Sequence, residues 1–154
     1  MTILVDWAET QAPDFESVLS GVYRISKIMT KELGYVNPAA LREAAGKGEL
    51  LVARSVFAET GRVVGFCNFH VRRDGIATVY EIAVLPYYRH KGVARDMLGR
   101  VLTRANSIKL KCPVDNRSNQ FYARIGENLG VERGKSRRLM VWAVTRESLA
   151  GTAP

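Results

Sequence analysis

Apolar residues recur at three- and four-residue spacing from Phe15 to Leu33: Phe15, Val18, Leu19, Val22, Ile25, Ile28, Met29 and Leu33. That spacing predicts a helix with one buried stripe, stopped by Gly34. Asn37 and Pro38 supply a cap and a first helical position for a short helix to Ala45, which Gly46 and Gly48 end. The pattern then changes period. LLVARSVF and VVGFCNFHV read as strands joined by the loop AETGR. RRDGIA carries the Asp-Gly hairpin signal and leads into a third strand, ATVYEIAV. A helix follows, with Val93, Met97, Leu98, Val101, Leu102 and Ala105 on one face. SIKLKCPV is a short strand. NQFYARIGENLG reads as a short helix with Phe121, Tyr122, Ile125 and Leu129 inward, and RRLMVWAV is the last strand. The tail LAGTAP reads as a frayed end. Two helices, an antiparallel meander and then α-β-α-β imply an α/β (α+β) fold: a mixed, mostly antiparallel central sheet flanked by helices. A length of 154 residues suits a single domain across 1–154.

The junction after VYEIAV concentrates unusual chemistry. Arg89, His90 and Lys91 stand before Gly92, Val93 and Ala94, where a strand hands over to a helix. A helix start offers unpaired backbone N–H groups and the positive end of the helix dipole. Phosphate settles there when the backbone can come close. Gly92 has no side chain to obstruct that approach, and Ala94 has almost none. A βα turn beside a solvated basic patch is the bland alternative. Neither G-x-x-x-x-G-K-[ST] nor G-x-G-x-x-G after a first strand is present, so the two commonest nucleotide cradles do not apply.

Arg89-His90-Lys91-Gly92-Val93-Ala94 resembles motif A of the GNAT superfamily of N-acetyltransferases, [Q/R]-x-x-G-x-[G/A] after an apolar strand. NQFYARIG resembles motif B, whose helix carries a Phe-Tyr pair, here Phe121-Tyr122. The resemblance runs from about Val5 to Val144. It implies acetyl-CoA as cofactor. Backbone groups of Ile82, Ala83 and Val84 would pair with the pantetheine arm like an added strand. The N–H groups of His90, Lys91, Gly92, Val93, Ala94 and Arg95, with Arg89 beside them, would hold the pyrophosphate. Tyr122 would protonate the leaving thiolate, a sensible task for a phenol of pKa about 10. An inward aromatic of the core is its other reading. The family's Asn before that Tyr falls nearest to Asn119, which the resemblance makes a further cofactor-binding residue, with Asp115 and Asn116 close by; Gly126-Glu127 replaces the usual Gly-Phe.

An amine must lose a proton when it attacks a thioester, so a base is needed. If Asp74-Gly75 is a two-residue hairpin loop, Asn68 faces Glu81 and His70 faces Val79. Asn68, His70 and Glu81 then share one face. Cys67, Phe69, Val71, Tyr80 and Ile82 occupy the other, a core set. A Glu in an apolar central strand is a candidate general base with a raised pKa; a wet face is the alternative. The resemblance supports the base, since some of these enzymes use a Glu on this strand. A three-residue loop with a bulge shifts this register.

Composition narrows the partners. The net charge is +8 with a sequence pI near 9.8. Arg89, Lys91, Arg95, Arg100, Arg104, Lys109 and Lys111 form one basic group; Arg133, Lys135, Arg137 and Arg138 form another. Tyr23, Lys27, Tyr35, Arg72, Arg73, Arg137 and Arg138 are available to shape an acceptor site. Nucleic acid is admitted as a partner, although no binding motif indicates it. Cys67 and Cys112 fit no metal spacing and read as reduced thiols; no metal site is expected. No apolar run is long enough to span a bilayer and no secretory leader is expected, which points to a cytoplasmic protein without a membrane partner. A homodimer is compatible with the sequence. The leading reading is an acetyl-CoA-dependent N-acetyltransferase acting on a small-molecule, peptide or macromolecular amine. A non-catalytic module binding CoA or nucleic acid, or an acetyltransferase for nucleic-acid amines, stands as the alternative.

Overall fold

The computed structural model describes residues 2–56 and 61–151. Its strands are β1 (Ile3–Trp7), β2 (Leu50–Ser55), β3 (Arg62–Val71), β4 (Ile76–Val84), β5 (Ser107–Pro113), β6 (Glu127–Arg133) and β7 (Arg138–Val144). They form one mixed sheet in the order β1-β2-β3-β4-β5-β7-β6. Its α-helices are α1 (Phe15–Ile28), α2 (Thr30–Leu33), α3 (Pro38–Gly46), α4 (Val93–Val101), α5 (Ser118–Ile125) and α6 (Arg146–Ala150). The helix-flanked, mostly antiparallel sheet expected from the sequence is present. The loop AETGR falls largely outside the described residues.

Internal packing divides the chain into two compact units. The first comprises the chain up to His70 with Glu81–Met97; the second comprises Val71–Tyr80 with the chain from Leu98 on. In the first, Val22, Ile25, Leu41 and Leu50 are fully buried among α1, α3, β2 and β3. Burial of each such side chain contributes about 1.5–3 kcal/mol. The Asn37 side chain accepts from the Ala39 N–H at 2.9 Å, capping α3 as expected. Gly34, at φ 74, ends α2. In the second, Leu98, Val101, Leu102, Ile108, Ile125 and Val144 are buried, as the helical stripe and strand patterns require.

Several expectations need correction. Ile28 is the last residue of α1 and is exposed, because the chain turns at Met29 before the stripe closes over it. The stretch after Gly126 is a strand. Gly126 is extended, and a Cβ there would stand 2.6 Å from the Ala143 carbonyl oxygen, so the chain runs along β7. Leu129 is therefore exposed on β6. Two elements were not anticipated. Strand β1 pairs antiparallel with β2 at the sheet's edge. Helix α6 begins at a Thr145–Ser148 capping box, so part of the expected frayed tail is ordered.

The turn between β3 and β4 holds three residues, not two. The Arg72 N–H donates to the Ile76 carbonyl and the Gly75 N–H to the Arg72 carbonyl, both at 2.9 Å, with Gly75 at φ 84. At the far end of this pair the Leu85 N–H donates to the Val64 carbonyl at 2.9 Å. Between these anchors β4 advances one residue more than β3, so β4 carries a bulge. Burial agrees: alternation holds from Ile76 to Tyr80 and then breaks. Tyr80 is exposed, not in the core set. The parallel ladder between β4 and β5 runs from Ile76↔Ser107 to Val79↔Leu110 and stops there.

Gly65 lets the backbones of β3 and β4 approach closely. A Cβ on it would lie 2.7 Å from the Ala83 carbonyl oxygen, a backbone atom with little freedom to yield. Gly65→Ala should therefore destabilise the protein by about 1–3 kcal/mol, read as a lower urea midpoint with an unchanged m-value.

Candidate active site

The start of α4 is the segment expected to form an anion cradle. The first bond of the helix runs from the Asp96 N–H to the Gly92 carbonyl at 2.9 Å. The N–H groups of Val93 and Ala94 precede it and have no partner inside the helix. Gly92 is at φ 80, a conformation that favours glycine, and a Cβ there would meet nothing within 4 Å. His90 is the only non-glycine residue at positive φ among the described residues, at 62. That strain lies in the same turn, where functional constraints commonly hold it.

The basic side chains around the cradle are partly committed. Arg89 folds back, its Nε donating to the Val84 carbonyl at 2.9 Å. Val84 thus already holds one donor on the group expected to meet pantetheine. The Lys91 ammonium lies 5.9 Å from the centre of the Tyr87 ring. Ile82 and Ala83 belong to the part of β4 past the last β5 pairing.

Glu81 stands where the bulge has shifted the register. The Asn68 side-chain N–H donates to its Oε1 at 2.9 Å. Asn68 is buried, and this bond satisfies its amide, as a buried polar group requires. Burial pushes the Glu81 carboxyl above its ordinary value, while the Asn68 hydrogen bond opposes that shift. The expected pairing of Asn68 with Glu81 is therefore present. His70 is not part of it. Its Nδ1 lies 3.0 Å from Glu49 Oε1, and the ring is exposed. Glu49, largely buried at its carboxylate, was missed because it sits one residue ahead of β2, in what reads as a glycine-bounded loop.

In the second unit Tyr122 is buried on α5, its ring centre 5.4 Å from that of Phe121 and 6.4 Å from that of Trp142. Asn119 is a brace. Its Nδ2 donates to the carbonyls of Pro113 at 2.7 Å and Asn116 at 3.0 Å, and its Oδ1 accepts from Trp142 Nε1 at 2.9 Å. It thereby fixes the indole beside Tyr122. Cys67 and Cys112 are unlinked and buried, and burial raises the Cys112 thiol to about 11.

A family model described as an acetyltransferase (GNAT) domain matches residues 46–126, more than half of the chain. The chain belongs to this family. The match takes in β2 to α5, hence the Asn68–Glu81 pair, the Gly92 turn and Tyr122. Comparison with curated proteins gives no match. Solved structures share the fold of this GNAT protein. Ard1 from Thermoplasma volcanium is 17% identical, with a TM-score of 0.74 over 94% of this chain and 98% of its own. Arabidopsis thaliana Naa50, in complex with the bisubstrate analogue CoA-Ac-MVNAL, is 18% identical, with a TM-score of 0.65 over 94% and 99%. The ribosomal-protein-S18-alanine N-acetyltransferase from Escherichia coli is 16% identical, with a TM-score of 0.66 over 94% of both chains.

The raised Glu81 carboxyl has a thermodynamic consequence. Its folded pKa lies above the ordinary 4.5, so the fold disfavours its ionised form. The stability this group contributes is complete below 4.5 and is lost as pH rises through the raised value. Glu81→Gln removes the dependence. The stability of wild type minus that of Glu81→Gln, from urea melts, should fall as pH rises through this window and be flat below it. A difference constant with pH would show that Glu81 titrates normally.

Proposed function

We propose that this GNAT protein is an acetyl-CoA-dependent N-acetyltransferase acting by direct attack of an amine on the thioester. The uncrowded, positive-φ turn at Gly92, just ahead of the first amides of α4, is the observation that carries this reading. Its preceding N–H groups and positive helix end suit a pyrophosphate. His90, Lys91, Gly92, Val93, Ala94 and Arg95 would surround it, with Arg89 bracing the strand end at Val84. Ile82, Ala83 and Val84 would take the pantetheine arm along β4. Bound acetyl-CoA supplies the activated acetyl group; the chain supplies orientation and proton transfer.

Glu81 is the proposed base. As the acceptor nitrogen bonds to the thioester carbonyl carbon, its proton passes to the Glu81 carboxylate, directly or through one water. Tyr122 O–H would give its proton to the sulfur that leaves as the amide forms. A carboxylate with a raised pKa is a stronger proton acceptor near neutral pH than an ordinary one. Asn68 holds that carboxylate in one orientation, and Asn119 positions Tyr122 through Trp142. A peptide amine is the favoured acceptor class, since the Naa50 complex carries a peptide-like analogue and the Escherichia coli protein is named for a protein alanine.

The test begins with binding. Acetyl-CoA should raise Tm, and thiol release should appear with a pool of short peptides and simple amines. Gly92→Ala should weaken acetyl-CoA binding by about tenfold, because the new methyl enters space the ligand needs and disfavours the positive φ. Loss of binding should occur in a variant that still melts cooperatively. Absence of any acetyl-CoA-dependent change in Tm for wild type would refute the assignment.

Two side chains can be separated kinetically. Glu81→Gln should cut turnover on the order of 10²-fold with little change in acetyl-CoA affinity. It should also remove the limb of the kcat profile that rises with pH through the raised Glu81 value. Tyr122→Phe should slow single-turnover acetyl transfer, and an unaltered rate would remove Tyr122 from the acid role.

A further inference from the structure

The hairpin joining β6 to β7, whose Arg137 and Arg138 are also available to an acceptor site, gathers more charge than acetyl transfer to a simple amine requires. The register pairs Arg133 directly with Arg138 across the two strands. Like charges placed opposite each other weaken a sheet. Between them run Gly134, Lys135, Ser136 and Arg137, so six residues hold four cations and no acid. All four cations are exposed, and none forms an ion pair among the described residues. The nearest acid along the strand, Glu132, is already held by Lys111 at 3.2 Å.

The turn is also tight. The Gly134 N–H donates to the Arg137 carbonyl at 2.8 Å. A Cβ at Gly134 would stand 2.8 Å from that same oxygen and 3.2 Å from Leu139 Cδ1, so a larger residue would force the turn open. Glycine here lets the four charges gather at one tip. The fold gains nothing from opposed arginines; an anion seated between them removes the repulsion and supplies acceptors for both guanidinium forks.

We propose that the tip of the β6–β7 hairpin docks the phosphodiester backbone of a nucleic acid. Composition favours this partner over a folded acidic protein. Residues 133–138 contain only Arg, Gly, Lys and Ser. Stable protein interfaces rest on apolar or aromatic anchors, whereas backbone docking on nucleic acid needs only cations and counterion release. Such docking positions the protein without reading sequence. It is measured by binding alone, without acetyl transfer.

The experiment uses the full chain, saturated with acetyl-CoA, and a fluorescein-labelled duplex DNA of about 20 base pairs. Anisotropy titrations at several KCl concentrations should give a log–log salt slope of about −3 to −4, as expected for four phosphate contacts. Arg133→Gln with Arg138→Gln should reduce that slope by about 2 units. Lys31→Gln with Arg24→Gln removes the same charge from α2 and α1 and should leave the slope unchanged. A second readout separates binding from structure. Arg138→Gln alone should raise Tm in low salt without DNA, because it removes the opposed charge. No DNA binding, equal losses in the two double variants, a lower Tm for Arg138→Gln, or equally strong binding to polyglutamate or phosphatidylserine vesicles would each overturn the proposal.

Discussion

One surplus residue in β4 is the constraint on which the rest of the site depends. A β-ladder has a period of two, so an insertion on one strand moves every later side chain to the other face. In β4 the insertion lies between the Arg72–Ile76 and Val64–Leu85 anchors. The Asn68–Glu81 bond obeys the register of the second anchor, so the surplus falls on the turn side of Glu81. Two effects coincide there. A carboxylate arrives opposite a buried amide, and β4 leaves the β5 ladder after Val79. A strand that leaves its neighbour offers backbone donors and acceptors to something else.

The remaining features are stabilised by their surroundings rather than by local preference. Burying Asn68 and half-burying Glu81 costs free energy that their mutual hydrogen bond only partly offsets, which is why the carboxyl remains shifted upward. His90 and Gly92 hold positive φ in a turn anchored by Arg89 on Val84. Around these points the fold is conventional: full burial of Val22, Ile25 and Leu41 in one unit and of Leu98, Val101 and Ile108 in the other. Ordinary packing thus carries a strained and partly desolvated site, the usual division between scaffold and chemistry.

The sequence was most legible where periodicity and caps agree. The α1 stripe, the Asn37-Pro38 cap and the α4 face are all present. The Asn68–Glu81 pairing came out right although its premise did not. A two-residue turn implies that pairing; the turn has three residues, and the bulge in β4 restores the register the longer turn displaces. Nothing in the residue types announces that bulge, since the stretch holds neither glycine nor proline. His70 lacks this compensation and turns to Glu49 instead. Strand β6 was hidden because seven exposed residues with only two aliphatic side chains have no core-facing alternation to read.

Charge shows most clearly what one dimension conceals. Along the chain, the group from Arg89 to Lys111 looks like the dominant cationic feature. In the folded protein many of its members are occupied. Arg89 is bound to Val84, Lys91 lies over Tyr87, Lys111 pairs with Glu132, and Arg95, Arg100 and Arg104 also have partners. The smaller group from Arg133 to Arg138 is the one the fold leaves unneutralised, on a turn that glycine makes tight. A cation with a partner has little left to offer a ligand, and one opposed by its like has a reason to accept an anion. The anion-binding character of the first segment therefore rests on backbone amides at Gly92 rather than on its basic residues, whereas that of the second rests on side chains alone. Ionic strength separates the two: it should act weakly on the amide cradle and steeply on the hairpin tip.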